Sequence, residues 1–264
     1  MNDRQESPNI SAVRSDLNDL VHKIRARTPA RLLAGRAGSS YRTQTQMELR
    51  EAHAAARDAV RAELEPMAAF GAAFVQEWRL FETYTRAASK HEYLLRPDLG
   101  RHFEDNSRAE IQKRCLKGSD LQISIGDGLS VPAVSIQIPA LLPLLGAGAR
   151  GRGWQLGQTF IIHHCRVGIL NEIGEMLEPR VALLLIGERP GLATAESLSA
   201  YMSYRPGNQH TDADRNLISN IHSRGVAPAD AVARILNLAA RMIKAGGSGY
   251  SVKEEASWSS EELR

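Results

Sequence analysis

A carboxylate and a guanidinium stand side by side where an apolar string ends. The stretch VALLLIGERPGL, residues 181–192, runs from apolar residues directly into Glu188 and Arg189. A carboxylate accepts hydrogen bonds from a ligand, and a guanidinium donates them. The same two groups can instead form an ion pair that fixes the loop, with Pro190 restricting the backbone. The dipeptide alone favours the structural alternative, and both alternatives stay open at this point.

Other candidate loops follow apolar stretches in the same way, in DLQISIGDGLS, QTFIIHHCRVG and DRNLISNIHSRG. Helical patterns at 134–145, 166–177, 196–204 and 229–244 alternate with these predicted strands. Near-continuous apolar strands that alternate with helices predict a parallel sheet covered on both faces. Ligands bind outside the carboxyl ends of the strands in such a sheet. The loops after the strands are therefore the candidate site.

The pattern divides the chain into four parts. We expect a polar tail with a short amphipathic helix over 1–28, a helical region over 29–118, a Rossmann-like open parallel α/β domain over 119–244 and a flexible tail over 245–264. In the second part, strong helix formers fill 43–65 and 67–89, and Pro97 and Gly100 then break the helical periodicity. The first helix either docks onto the rest of the chain or contacts a partner, and the sequence does not separate these alternatives.

Composition excludes several classes of protein. The 264 residues carry a net charge of +3, but basic and acidic residues are interleaved and only 5% of residues are aromatic, so nucleic-acid binding is not expected. Cys115 and Cys165 are the only cysteines and form no CxxC pair, which favours a reducing, cytoplasmic location. The most apolar run, PALLPLLGAGA, is shorter than the roughly 20 residues that a membrane span needs. We expect no membrane segment.

Familiar catalytic motifs do not occur in the chain. There is no GxxxxGK[ST], GxSxG or HExxH string, and GAGARG, residues 146–151, matches GxGxxG only after a helical run. His163, His164 and Cys165 are neighbours, but adjacent residues of a strand point to opposite faces, so no metal site is predicted. No catalytic residue is predicted either. A ligand-binding fold without its own reactive groups is typical of a protein whose cofactor supplies the reactivity.

Taken together, the loops resemble a known family. The segments LLAGRAGSSYRTQTQMELREAHAAARDAV, YLLRPDLGR, DLQISIGDGLS, HHCRVGILNEIGEMLEPRVALLLIGERPGLATAESLSAYMSYRPG and TDADRNLISNIHSRG resemble, in order, the small subunit of ethanolamine ammonia-lyase. The resemblance runs from about residue 27 to residue 244. GERPGL and the string that contains SNI are its most specific parts.

The resemblance implies an adenosylcobalamin-dependent lyase that converts ethanolamine to acetaldehyde and ammonia. In this family a large TIM-barrel subunit binds the substrate, and the small subunit covers the cobalamin from its other face within a hetero-oligomer. Homolysis of the cobalt–carbon bond yields the radical that abstracts hydrogen from the substrate. The N-terminal helix is similar in position to a segment that some members use to enter a bacterial microcompartment. The expected location is therefore cytoplasmic, with a microcompartment left open.

The resemblance also implies three cofactor contacts. They are Val167 in RVG, Glu188 in GERPGL and Leu217 in LISN. The family commonly has a cysteine at the third position, so a sulfur contact is in doubt there, whereas a backbone contact would survive the change. A stand-alone nucleotide-binding enzyme with a Rossmann-like fold and a purely structural assembly subunit are the alternatives.

Overall fold

The structure is a computed structural model that describes residues 10–28, 30 and 32–254. Residues 1–9 and the second half of the expected C-terminal tail, 255–264, lie outside the described part. Within that part there are nine α-helices. Their bounds are α1 Ile10–Ala26, α2 Thr43–Arg61, α3 Pro66–Phe70, α4 Ala72–Glu77, α5 Lys90–Leu95, α6 Asp105–Arg114, α7 Val131–Gly151, α8 Ile169–Leu177 and α9 Pro228–Ala245.

Eight strands form two sheets in the described residues. Their bounds are β1 Arg36–Ala37, β2 Ser40–Tyr41, β3 Glu82–Tyr84, β4 Leu121–Gly126, β5 Phe160–His163, β6 Val181–Gly187, β7 Leu198–Tyr204 and β8 Asn216–Ile221. Strands β1 and β2 pair with each other, and the other six form one sheet in the order β3-β5-β4-β6-β7-β8. The first four strands in this order are mutually parallel, whereas β7 and β8 are added antiparallel.

The predicted α/β class is confirmed, but the prediction of an entirely parallel sheet was wrong. Residues 196–204, predicted as a helix, instead contain β7, which pairs antiparallel with β6 along its whole length. The sequence LSAYMSY alternates apolar and polar residues with period 2, as a strand does. Pairing with β6 buries Leu198, Ala200 and Met202 in the core. This tertiary burial prevails over the weak helical pattern.

The second predicted helix, 67–89, is also broken up. Gly71, with φ +80°, separates α3 from α4, and β3 follows as an edge strand paired with β5. Pro66 begins α3, in keeping with the preference of proline for the first turn of a helix. The six-stranded sheet thus takes one strand from the segment 29–118, for which only helices were expected. The division into four domains stays a prediction.

Helices cover both faces of the sheet. Helix α7 packs on one face of the sheet against β4 and β6, and α9 packs on the same face against β6, β7 and β8. Helix α8 packs on the other face, against β6, whose Ala182 and Leu184 belong to the same buried cluster. The chain passes from β4 through α7 to β5, and from β5 through α8 to β6. Because α7 and α8 lie on opposite faces, the loops after β4 and β5 diverge and leave a crevice between them.

Helix α7 is longer than predicted and passes through Pro139 and Pro143 without ending. By length and composition it is the one described helix that could cross a membrane, but half of its most apolar window is buried inside the fold. The core helix of a globular domain has the same properties. Helix α1 differs from it, because Leu17 and Leu20 in its apolar stripe are more than half exposed.

Candidate functional site

A cavity of about 360 Å³ lies at the carboxyl edge of the sheet. Its walls come from the loops after β4, β5 and β6 and from side chains of β7 and β8. The loops after β4 and β5 diverge, and the cavity lies beside them, as expected for an open α/β sheet. The three residues named from the sequence, Val167, Glu188 and Leu217, all line this one cavity. Their convergence is observed, and their role as cofactor contacts stays a prediction.

The carboxylate of Glu188 is held from one side only. Its Oε1 accepts a hydrogen bond from Ser199 Oγ at 2.6 Å and another from the backbone N–H of Asn220 at 2.8 Å. Among the described residues no donor reaches Oε2. The side chain is therefore fixed in place by β7 and β8 while one oxygen stays available to a ligand. No ion pair joins Glu188 to Arg189, so the expectation that these two residues pair with each other was wrong.

Two guanidinium groups border the cavity without a carboxylate partner in the described chain. Arg166 stacks on the ring of Tyr93, with its Cζ 4.2 Å from the ring centroid, and its Nη2 donates a hydrogen bond to the carbonyl oxygen of Tyr93 at 3.3 Å. Arg189 is exposed at the mouth. Both groups can donate hydrogen bonds to the carbonyl or phosphate oxygens of a ligand.

A buried ion pair joins the loops below the cavity. Lys90 Nζ lies 3.0 Å from Asp127 Oδ2 and 3.3 Å from the carbonyl oxygen of Gly128. The other oxygen of Asp127 accepts a hydrogen bond from the backbone N–H of Cys165 at 2.9 Å. The hydroxyl of Tyr93 donates to the carbonyl oxygen of Cys165 at 2.8 Å. Helix α5 and the loops after β4 and β5 are thereby tied together.

Burial sets the protonation of the groups in this network. Desolvation, together with the nearby charge of Asp127, raises the pKa of the Tyr93 hydroxyl and that of the Cys165 thiol well above their usual values. Both buried groups therefore remain neutral near pH 7. The Cys165 thiol is therefore unreactive. Burial likewise raises the pKa of the Cys115 thiol to about 12.

The neighbouring histidines have separate partners. His163 Nε2 lies 2.8 Å from Glu82 Oε2. His164 adopts a positive φ of 57°, which directs its Nδ1 to the carbonyl oxygen of Ala87 at 2.9 Å and its Nε2 to Glu63 Oε2 at 3.2 Å. Each ring links a strand or loop to an adjacent element. The two histidines do not share one site.

One cluster of potential metal ligands is found in the described chain, in Glu63, Asp127 and His164, whose ligand atoms lie within 4.8 Å of one another. Lys90 already pairs with Asp127 at 3.0 Å. A metal ion would have to compete with this buried ammonium. The proximity of these three residues is explained by the Lys90–Asp127 ion pair and by the contact between His164 and Glu63.

Several residues of the cavity were not predicted from the sequence. Tyr93 comes from α5, which lies far from β5 along the chain, so no local pattern places it here. Ser199 and Tyr201 were missed because their segment was predicted as a helix. The period-2 alternation of LSAYMSY would have shown that these two side chains share one face of a strand. These features define an α/β protein with a cavity at the carboxyl edge of its sheet.

Comparisons with known proteins identify the family. A family model described as ethanolamine ammonia-lyase light chain (EutC) matches residues 18–253. Relatives named ethanolamine ammonia-lyase small subunit are 38% identical over 231 residues in Clostridium perfringens, covering 88% of this chain and 76% of the relative. In Listeria monocytogenes the identity is 39% over 231 residues, covering 88% and 77%. In Clostridium acetobutylicum it is 34% over 233 residues, covering 88% and 94%.

The chain belongs to the ethanolamine ammonia-lyase small-subunit family. The resemblance found in its loops is thereby confirmed over most of its length. The family name associates the chain with a lyase.

The buried ion pair leads to a prediction about stability. Replacing Lys90 with Met leaves the buried carboxylate of Asp127 without its partner, and we expect the free energy of unfolding to fall by about 3 kcal/mol or more. Urea denaturation measures this change. Lys117→Met is a matched control, because it breaks an ion pair in which both side chains are more than 60% exposed and should cost less than about 1 kcal/mol. Equal losses in the two variants would contradict the proposed role of Lys90.

The loop after β4 leads to a second prediction. Gly128 has φ +57°, and a Cβ there would lie 2.4 Å from the carbonyl oxygen of Gly187. Gly118 has φ +74° with nothing within 4 Å. Gly118→Ala should therefore cost only the backbone strain of about 1 kcal/mol, whereas Gly128→Ala should cost clearly more because of the added clash. Thermal or urea unfolding compares the stabilities of the two variants. Similar losses of stability would show that the loop after β4 is not tightly packed against Gly187.

Proposed function

We propose that this chain is the cobalamin-covering subunit of an ethanolamine ammonia-lyase that converts ethanolamine to acetaldehyde and ammonia. Adenosylcobalamin, when bound, would supply the radical chemistry. The chain's own residues would bind and orient the cofactor. The observation that carries the proposal is the convergence of Val167, Glu188 and Leu217 on one cavity.

The donor and acceptor set of the cavity fits a corrin. A corrin presents amide side arms around an apolar ring system. The free Oε2 of Glu188 is an acceptor for an amide N–H, and Arg166 offers N–H groups to an amide carbonyl. Val167 and Leu217 supply apolar contact beside them. This combination of a few placed polar groups in an apolar wall is typical of cofactor sites.

The size of the cavity supports a site shared with another subunit. A volume of about 360 Å³ accommodates only part of a corrin with its side arms. Leu217 is 46% exposed and Leu95 is 67% exposed in the chain alone. We propose that a large TIM-barrel subunit, which carries the substrate pocket and the catalytic residues, covers the rest of the cofactor in a hetero-oligomer.

The proposed location follows from the cysteines and from α1. Cys115 and Cys165 are free and buried, which supports a reducing, cytoplasmic environment. Leu17 and Leu20 of α1 stay exposed, which supports the alternative in which this helix contacts a partner. Entry into a bacterial microcompartment is one such use of α1.

Glu188→Gln tests the central contact. The carbonyl oxygen of the new amide can still accept from Ser199 and Asn220, so its NH₂ group replaces Oε2 and presents a donor where the ligand needs an acceptor. We expect adenosylcobalamin to bind about tenfold more weakly, since a hydrogen bond to a charged group contributes about 1.5 kcal/mol. The measurement is equilibrium dialysis of the chain co-purified with its large subunit, followed by cobalamin absorbance.

Glu77→Gln is the control for the first test, because Glu77 is exposed and lies outside this cavity. Co-purification with the large subunit should be unchanged in both variants. Equal cobalamin affinity in the two would contradict the role of Glu188. It would favour the alternative of a purely structural assembly subunit.

Leu217→Cys tests the third position. Leu217 lines the cavity and is half exposed, so we expect it to contribute apolar and backbone contact. Restoring the cysteine that the family commonly carries should change cobalamin affinity by less than about threefold, because a small apolar residue replaces a larger one at a half-exposed site. The same dialysis measures it. An increase in affinity of tenfold or more would instead show that the sulfur makes a specific contact.

A further inference from the structure

A second cavity, of about 640 Å³, adjoins the first and is lined by basic side chains. Val167 lines the first cavity and Gly168, the next residue, lines the second. Consecutive Cα atoms are about 3.8 Å apart, so the two cavities are bordered by adjacent positions of one loop. Arg101 lies against Gly168, where a Cβ would be 2.9 Å from Arg101 Cγ. The second cavity has no role in the function proposed above.

Arg215 is a buried cation with little compensation. Its side chain is 4% exposed, and its ion-pair partner, Asp212, is 89% exposed. Its Nη2 donates to Asn171 Oδ1 at 2.9 Å, and its Nε is buried without a hydrogen-bond partner in the described residues. A buried guanidinium is costly unless its charge and its donors are satisfied. The exposed carboxylate of Asp212 and the nearby charge of Asp214 do this only in part.

Arg101 adds a second positive charge beside Arg215. Within the described chain no carboxylate lies at ion-pair distance from Arg101. Burial lowers the pKa of Arg215, and the positive charge of Arg101 lowers it further, against the opposing effects of Asp212 and Asp214. Two neighbouring guanidinium groups that share no acid repel each other. An oxyanion between them would remove this repulsion.

The other carboxylates of the cavity are already engaged. Glu172 is paired with Arg108 and accepts a hydrogen bond from the backbone N–H of Phe103 at 2.7 Å. Glu175 accepts one from the backbone N–H of Asn208 at 3.1 Å. Neither carboxylate forms an ion pair with Arg101 in the described residues. Arg101 is therefore unpaired there, and Arg215 pairs only with the exposed carboxylate of Asp212.

We propose that Arg101 and Arg215 form a binding site for an oxyanion of the phosphate class. Guanidinium groups match the geometry of phosphate oxygens and can bind two of them at once. Two sources of this chemistry fit the position. One is the phosphodiester in the nucleotide tail of a cofactor whose ring occupies the first cavity, and the other is free phosphate.

Titration of the full-length chain with inorganic phosphate tests the site, with sodium chloride at matched ionic strength as the reference. Phosphorus NMR line broadening or calorimetry gives the affinity. We expect phosphate to bind, Arg101→Ala to weaken its binding at least tenfold, and Arg101→Lys to restore part of it. Arg61→Ala is the matched control, because it removes one exposed positive charge at the end of α2. It should leave the affinity within twofold.

Asp212→Asn should change the phosphate affinity in the direction opposite to Arg101→Ala. Removing the carboxylate that competes for Arg215 should tighten phosphate binding several-fold, which a purely structural role of Arg215 would not produce. The proposal is overturned if phosphate binds no more tightly than chloride. It is also overturned if Arg101→Ala and Arg61→Ala have equal effects.

Competition experiments with the chain and its large subunit distinguish the two sources. If cobalamin displaces phosphate and cobinamide, which lacks the nucleotide tail, does not, the anion is the phosphodiester of the cofactor. If neither corrinoid displaces it, the site takes free phosphate. The result of the phosphate titration does not depend on the proposed function. Glu188→Gln should weaken cobalamin binding, but it should leave phosphate binding by the chain unchanged.

Discussion

The buried ammonium of Lys90 lies 3.0 Å from Asp127 Oδ2, and the geometry of the carboxyl edge depends on this contact. Asp127 follows β4, and its second oxygen holds the backbone N–H of Cys165 after β5. Lys90 belongs to α5, which also carries Tyr93 into the wall of the cavity. A buried charge pair is stable only when its remaining hydrogen-bonding groups are satisfied. Here those groups are the backbone atoms of the two loops, so satisfying the charges also positions the loops.

A second constraint comes from the antiparallel strands β7 and β8. They continue the sheet beyond β6 and bring Ser199 and the backbone N–H of Asn220 to the carboxylate of Glu188. One oxygen is held and the other is left free, which gives the ligand an acceptor with a defined direction. Leu217 reaches the same cavity from β8. A fully parallel sheet would have needed a helical crossover here, and its edge would have presented different side chains.

The parts that the sequence predicted well are those with strong local patterns. The string VALLLIG is apolar throughout and forms the buried strand β6. The apolar periodicity of RVGILNEIGEML predicted a helix, and α8 lies within this segment. Glu188 was singled out because it follows β6 directly. The alternation in LSAYMSY is equally regular, but the preceding string ATAES and its helix formers obscured it. Tyr93 and Arg166 had no pattern of their own, because their contact joins segments that are distant along the chain.

The sequence by itself determined the α/β class, the apolar strands, the main helices and the family, because these depend on local periodicity and on short motifs that are complete within one loop. Only the tertiary structure decided that β7 and β8 run antiparallel to each other, that Glu188 bonds to Ser199 and Asn220 and not to Arg189, and that Arg101 and Arg215 line one cavity. The direction of a strand and the partner of a charged side chain depend on burial and charge balance among elements that are far apart along the chain. The free energies that decide them arise only when those elements pack together.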